Sequence, residues 1–112
     1  MVQSVKKNVL THQGRVLKFE GDGSICVFNS AVEAVRAAIA IQLDMQKNPK
    51  VPLRIGINSG DVIVEDSEIY GEGVNVASRV ESFAVPGGIL ISGKVNDDIK
   101  NQPDILTVSL GH

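Results

Sequence analysis

Aromatic residues are scarce in this chain of 112 residues, which has one Tyr, three Phe and no Trp. Without rings there is no platform on which successive bases of a single strand could stack, and a formal charge of −2 offers no cationic surface to a phosphate backbone. Nucleic acid is therefore not an expected partner. Cysteine is nearly absent as well. Cys26 has no second thiol to join, which removes a disulfide framework and a thiolate metal site and fits a reducing compartment. The two histidines, His12 and His112, lack a ligand-spaced partner and read as incidental. No apolar run approaches the ~20 residues that a spanning helix needs, and the basic start has no apolar centre of the signal-peptide kind. The expected location is the cytoplasm, with no membrane segment. Neither a Walker-type loop nor a nucleophile elbow around Ser59 is found.

What is present is ordinary for a globular domain, with 43% hydrophobic and 21% charged residues. A chain of this length makes one core and buries somewhat over ~60% of its unfolded surface, so residues 1–112 are taken as a single domain.

Val2, Val5 and Val9 recur at helical spacing and predict a first helix that stops at Gly14. Residues 15–20 and 24–28 are strand-like runs around Gly21-Asp22-Gly23, a strong hairpin signal. Ser30-Ala31-Val32-Glu33 has the pattern of a capping box, and Val32, Val35, Ile39 and Leu43 carry a second helix towards Met45. After the Pro49 and Pro52 break, residues 53–58 and 62–65 predict a second hairpin turning at Ser59-Gly60-Asp61. Residues 66–73 read as a loop and residues 74–83 as a third helix, with Val76, Val80 and Phe83 as its inner stripe. Pro86-Gly87-Gly88 reads as a turn, residues 89–92 as a strand, 94–100 as a short helix and 105–108 as a last strand. Helices on a mostly antiparallel sheet make this an α+β sandwich, similar to a ferredoxin-like split βαβ that begins one element late. On that reading the first central strand is absent.

The stretch from Glu68 to Arg79, Glu-Ile-Tyr-Gly-Glu-Gly-Val-Asn-Val-Ala-Ser-Arg, runs a glycine loop into a helix. Asn75 and Arg79 stand at i and i+4, so an amide and a guanidinium share one face beside a backbone that can come close to an anion. Taken alone, such a pair is more often plain surface, Asp22 is a turn former and Lys18 is a solvated strand lysine.

Four segments in order change that weighting: Lys18-Phe19-Glu20-Gly21-Asp22-Gly23, Ile55-Gly56-Ile57-Asn58-Ser59-Gly60-Asp61, residues 69–79, and Pro86-Gly87-Gly88-Ile89. Together they resemble the class III adenylate and guanylate cyclase catalytic domain over residues 14–93. The resemblance implies conversion of ATP to 3′,5′-cyclic AMP and pyrophosphate, with two Mg²⁺ or Mn²⁺ ions, at a site shared between two domains of a homodimer or a domain-swapped assembly. It implies that Asp22 is a metal ligand, oxygen donors being what hard divalent cations take. Lys18 and Glu68 fall at the two base-reading positions, where adenylate cyclases pair Lys with Asp or Thr and guanylate cyclases pair Glu with Cys. The combination of Lys18 with Glu68 favours ATP over GTP. Asn75 matches the ribose-orienting asparagine and Arg79 the phosphate-contacting arginine. The resemblance further implies a second metal aspartate on a strand before Val2 and a triphosphate lysine beyond Leu110, so this chain by itself is expected to be inactive and to assemble. The alternative is a non-catalytic cyclase-like module that binds nucleotide or dimerises, and a plain ferredoxin-like interaction domain comes third.

Overall fold

The structure is a computed structural model that describes residues 1–20, 23–47, 49–60, 63–65 and 68–105, with the backbone alone of residues 18, 20, 64 and 68–70. The order of elements is α1 (Val2–Thr11), β1 (Arg15–Glu20), β2 (Gly23–Val27), α2 (Ala31–Met45), β3 (Ile55–Ile57), β4 (Ile63–Glu65), β5 (Glu68–Tyr70), α3 (Glu72–Phe83), β6 (Ile89–Ile91) and α4 (Gly93–Ile99). Helices packed on short strands make an α+β fold.

α1 docks on α2 with Val5 and Val9 against Ile41 and Met45, and Val16, Cys26, Phe28 and Leu53 close the same cluster. Val2 of the expected stripe is 42% exposed. The helix ends differently from the sequence expectation. Gln13, at φ 66°, takes the left-handed position, with Gln13 N–H donating to Leu10 O at 3.1 Å and Gly14 N–H to Val9 O at 2.8 Å. This is a Schellman end with a glutamine where glycine is usual. Gly14 answers a different need, because a Cβ there would come within 2.6 Å of Phe28 Cδ2.

β1 and β2 form the expected antiparallel hairpin, pairing Arg15 with Val27 and Glu20 with Gly23, with an irregularity between Val16 and Lys18. Its turn residues Gly21 and Asp22 lie outside the described residues. Ser30 caps α2 as expected, its Oγ accepting from Glu33 N–H at 3.3 Å. Val35 of α2 meets Val95 and Ile99 of α4 and Ile105 in a second cluster.

The second hairpin is not formed. β3 pairs in parallel with β6, Ile55 opposite Ile89 and Ile57 opposite Ile91, while β4 pairs antiparallel with β5, which falls within the loop expected over residues 66–73. The physical reason is that β3 has helices on both sides. Ile55 packs against the first core cluster and Ile57 against the second, whereas Gly56 on the opposite face meets the backbone of α3 at Glu81. A strand covered on both faces takes a parallel partner after a helical crossover. Among the described residues two of the three ladders are antiparallel. The expected last strand, residues 105–108, falls outside the described residues beyond Ile105.

Candidate active site

The turn into α3 is set by Gly71, whose φ of 126° lies where only glycine is at ease. Gly71 offers no side-chain cap, and Glu72 in the first turn puts a carboxylate at the positive end of the helix. Asn75 and Arg79 follow one turn apart and both are exposed, while Val76 and Val80 are half-buried. The polar pair therefore faces outward as its spacing predicts. Phe83 does not continue the inner stripe, being 79% exposed. Ala84, the next residue, is buried instead.

No residue of α3 is fully buried, and its half-buried side lies on β3 and β6, where two polar or close contacts stand out. Gly56 is one, since any Cβ there would collide with the Glu81 backbone. Asn58 is another, its Nδ2 donating to the carbonyl of Gly73 at 3.2 Å. Sequence reasoning missed Asn58, although its place two residues after Gly56 puts it on the same face of the chain. It also missed Glu72, whose Oε1 lies 3.5 Å from Arg79 Nη2, with the two side chains 78% and 66% exposed. A cleft of about 350 Å³ opens beside the chain after β3, lined by Ser59, Gly60, Lys94, Asp97 and Asp98.

Chemically, the outward face of α3 offers a planar guanidinium fork and an amide that can both donate and accept, a set suited to phosphate oxygens and a sugar hydroxyl. Of the other expected site residues, Lys18 lies in β1 opposite Ile25 and Glu68 begins β5 opposite Glu65. Their side chains, and Asp22 altogether, lie outside the described residues. Among the described residues no group of three or more His, Cys, Asp or Glu side chains could hold a metal ion. His12 is not idle: its Nδ1 meets Glu33 Oε2 at 2.9 Å, joining the end of α1 to the start of α2. Cys26 stays a free thiol, pushed up in pKa by burial, with the Ser24 hydroxyl opposing in part. Among the described residues no helix is long and apolar enough to cross a membrane. Gly87, at φ 82°, makes a turn between Val85 and Gly88 as expected.

Comparison with known proteins follows the same lines. Residues 7–111 match the Adenylate and Guanylate cyclase catalytic domain. A Rhizobium meliloti protein named "Putative adenylate cyclase 3" is 44% identical over 108 residues, which cover 90% of this chain and 18% of that protein. Among solved structures, an adenylate/guanylate cyclase/hydrolase from Silicibacter pomeroyi is 33% identical with a TM-score of 0.87, over 96% of this chain and 68% of that one. The adenylyl cyclase CyaB from P. aeruginosa is 30% identical with a TM-score of 0.73, over 90% of this chain and 65% of that one. The chain thus spans under a fifth of the Rhizobium relative and about two thirds of the solved domains. The match over almost the whole chain, residues 7–111, places it in the adenylate and guanylate cyclase catalytic domain family.

Proposed function

We propose that this domain converts ATP to 3′,5′-cyclic AMP and pyrophosphate, as one half of a homodimeric site. The observation that carries the reading is the exposed Asn75 and Arg79 pair, one turn apart on a helix whose inner side rests on β3. In the reaction the ribose 3′-oxygen attacks the α-phosphorus, the O3′–Pα bond forms, the bond from Pα to the β-phosphate bridging oxygen breaks, and the hydroxyl proton leaves to solvent. Asn75 holds the ribose so that the 3′-oxygen stands in line. Arg79 donates to the oxygens on which charge grows at the α-phosphate, and a preorganised donor of this kind contributes about 10²-fold or more in rate.

Lys18 donates to a ring nitrogen of adenine and Glu68 accepts from its exocyclic amine, the pairing that favours ATP over GTP. The proposed cofactors are two Mg²⁺ or Mn²⁺ ions, with Asp22 as the carboxylate this chain would supply. Bound there, they would polarise the nucleophile and neutralise phosphate charge.

The test is release of cyclic AMP and pyrophosphate from ATP, with GTP in parallel, by a longer chain that adds the strand and the lysine segment the family resemblance implies. Arg79→Ala is expected to lower kcat about 10²-fold or more, and Arg79→Lys to recover little of it, because the planar fork is lost. ATP binding without turnover in the wild type would instead support a nucleotide-binding regulatory module.

A further inference from the structure

Resting on the reading of Arg79 given above, we propose that Asn58 is a positioning residue for the reaction: its amide fixes the first turn of α3 and thereby the aim of Asn75 and Arg79. β3 is held at both ends, with Ile55 N–H donating to Gly88 O at 3.2 Å and Ser92 N–H donating to Ile57 O at 3.0 Å. Asn58 therefore projects from a fixed point. Its Nδ2 donates at 3.2 Å to the carbonyl of Gly73, two residues before Asn75. A carbonyl oxygen has two lone pairs, so Gly73 can take this bond and still accept within the helix.

The tie matters at the start of α3, a helix that otherwise rests on β3 and β6 through half-buried side chains. Its first turn has no side-chain cap, and none of its residues is buried. Gly56 sets how closely the far half of the helix approaches β3, through contact with the Glu81 backbone. Half-buried Val76 and Val80 pack the inner side between these ends, but apolar contacts of this kind have no direction. Asn58 supplies the second fixed point, next to a close passage in which a Cβ at Gly60 would lie 3.6 Å from Gly73 Cα. Two points define the axis of a helix. A displacement of about 1 Å in a group that must meet transition-state charge can cost about 10²-fold in rate.

Asn58→Asp keeps the shape but replaces the donor with an oxygen facing the Gly73 carbonyl, and Asn58→Ala removes the donor without adding charge. Asn58→His restores a ring N–H at the same number of bonds from the backbone. Hydrogen exchange across the domain and steady-state turnover of ATP are measured on all four proteins. The expected result is faster exchange confined to the first two turns of α3 in Asn58→Asp and Asn58→Ala, with kcat lowered about 10-fold or more and KM within about twofold. Asn58→His is expected to recover part of both effects. Unchanged kcat in Asn58→Asp and Asn58→Ala overturns the proposal. So does a lowered kcat with exchange accelerated evenly over the whole domain, the pattern of a general loss of stability. A wild type that releases no pyrophosphate, assayed like the variants in the longer chain described above, defeats the reading of the site itself, and this proposal with it; that failure is seen in the parent protein and not in the variants.

Discussion

Arg79 has a partner waiting on its own helix. Glu72 reaches across two turns to 3.5 Å, and an exposed pair of this kind is worth ~0.2–1 kcal/mol. On the proposed role of Arg79 an incoming phosphate displaces that carboxylate, so Glu72→Gln is expected to tighten binding of a non-hydrolysable ATP analogue by at most about fivefold. Calorimetric titration at low salt checks this. The gain should shrink in high salt, where exposed charges are screened. The outward direction of Asn75 and Arg79 was legible from their spacing because a helix has a fixed period. The ion pair was not, since long side chains two turns apart have many rotamers, and only the folded arrangement selects this one.

At the scale of elements, α1 closes on Gln13 at φ 66°, a conformation that costs a residue with a Cβ roughly 1 kcal/mol. Gln13→Gly removes that strain, but also loosens the unfolded chain, which offsets part of the gain. A net stabilisation of about 0.5 kcal/mol, or a few degrees in Tm, is expected in thermal unfolding followed by circular dichroism. α1, the first hairpin, α2, α3 and α4 were all legible, because each carries a local mark: a periodic stripe, an Asp-Gly turn or a serine cap. The pairing of β3 was not. Ser59-Gly60-Asp61 has the composition of a hairpin turn, yet the partner of β3 is β6, more than thirty residues onward. β5, only three residues long, is too short for a period to show.

At the scale of the whole molecule, Asp44 joins α1 to α2. Its Oδ2 accepts from the Ser4 hydroxyl at 2.8 Å and the Asn8 amide at 3.1 Å, with Lys7 Nζ 3.5 Å from the same oxygen and Lys47 Nζ 3.4 Å from Oδ1. The Ser4 and Asn8 hydrogen bonds, helped by the two lysines, hold its carboxyl well below the usual carboxylate range. A depressed folded-state pKa gives stability that is fully present above the unfolded value, about 3.9, and is lost as pH falls below it. Urea unfolding between about pH 5 and pH 2 should therefore show a steeper acid loss in the wild type than in Asp44→Asn. Assembly belongs to this scale as well. If the proposed site is shared, mixing Asp22→Ala with Arg79→Ala chains should restore one intact site per mixed dimer and so part of the activity. Two inactive variants that stay inactive on mixing would count against a shared site.

The sequence by itself determined the family, the helices, the first hairpin and the face on which Asn75 and Arg79 stand. All of these rest on short-range regularities: fixed helical period, turn chemistry, and motifs read in order along the chain. Tertiary structure alone decided that β3 lies between α2 and α3, that Gly56 and Asn58 face the helix bearing the site, and that Gln13 ends α1. These depend on which surfaces meet across long separations in the chain. At Gly56 the missing side chain is explained only by the Glu81 backbone lying against it, a neighbour that no local pattern could have named.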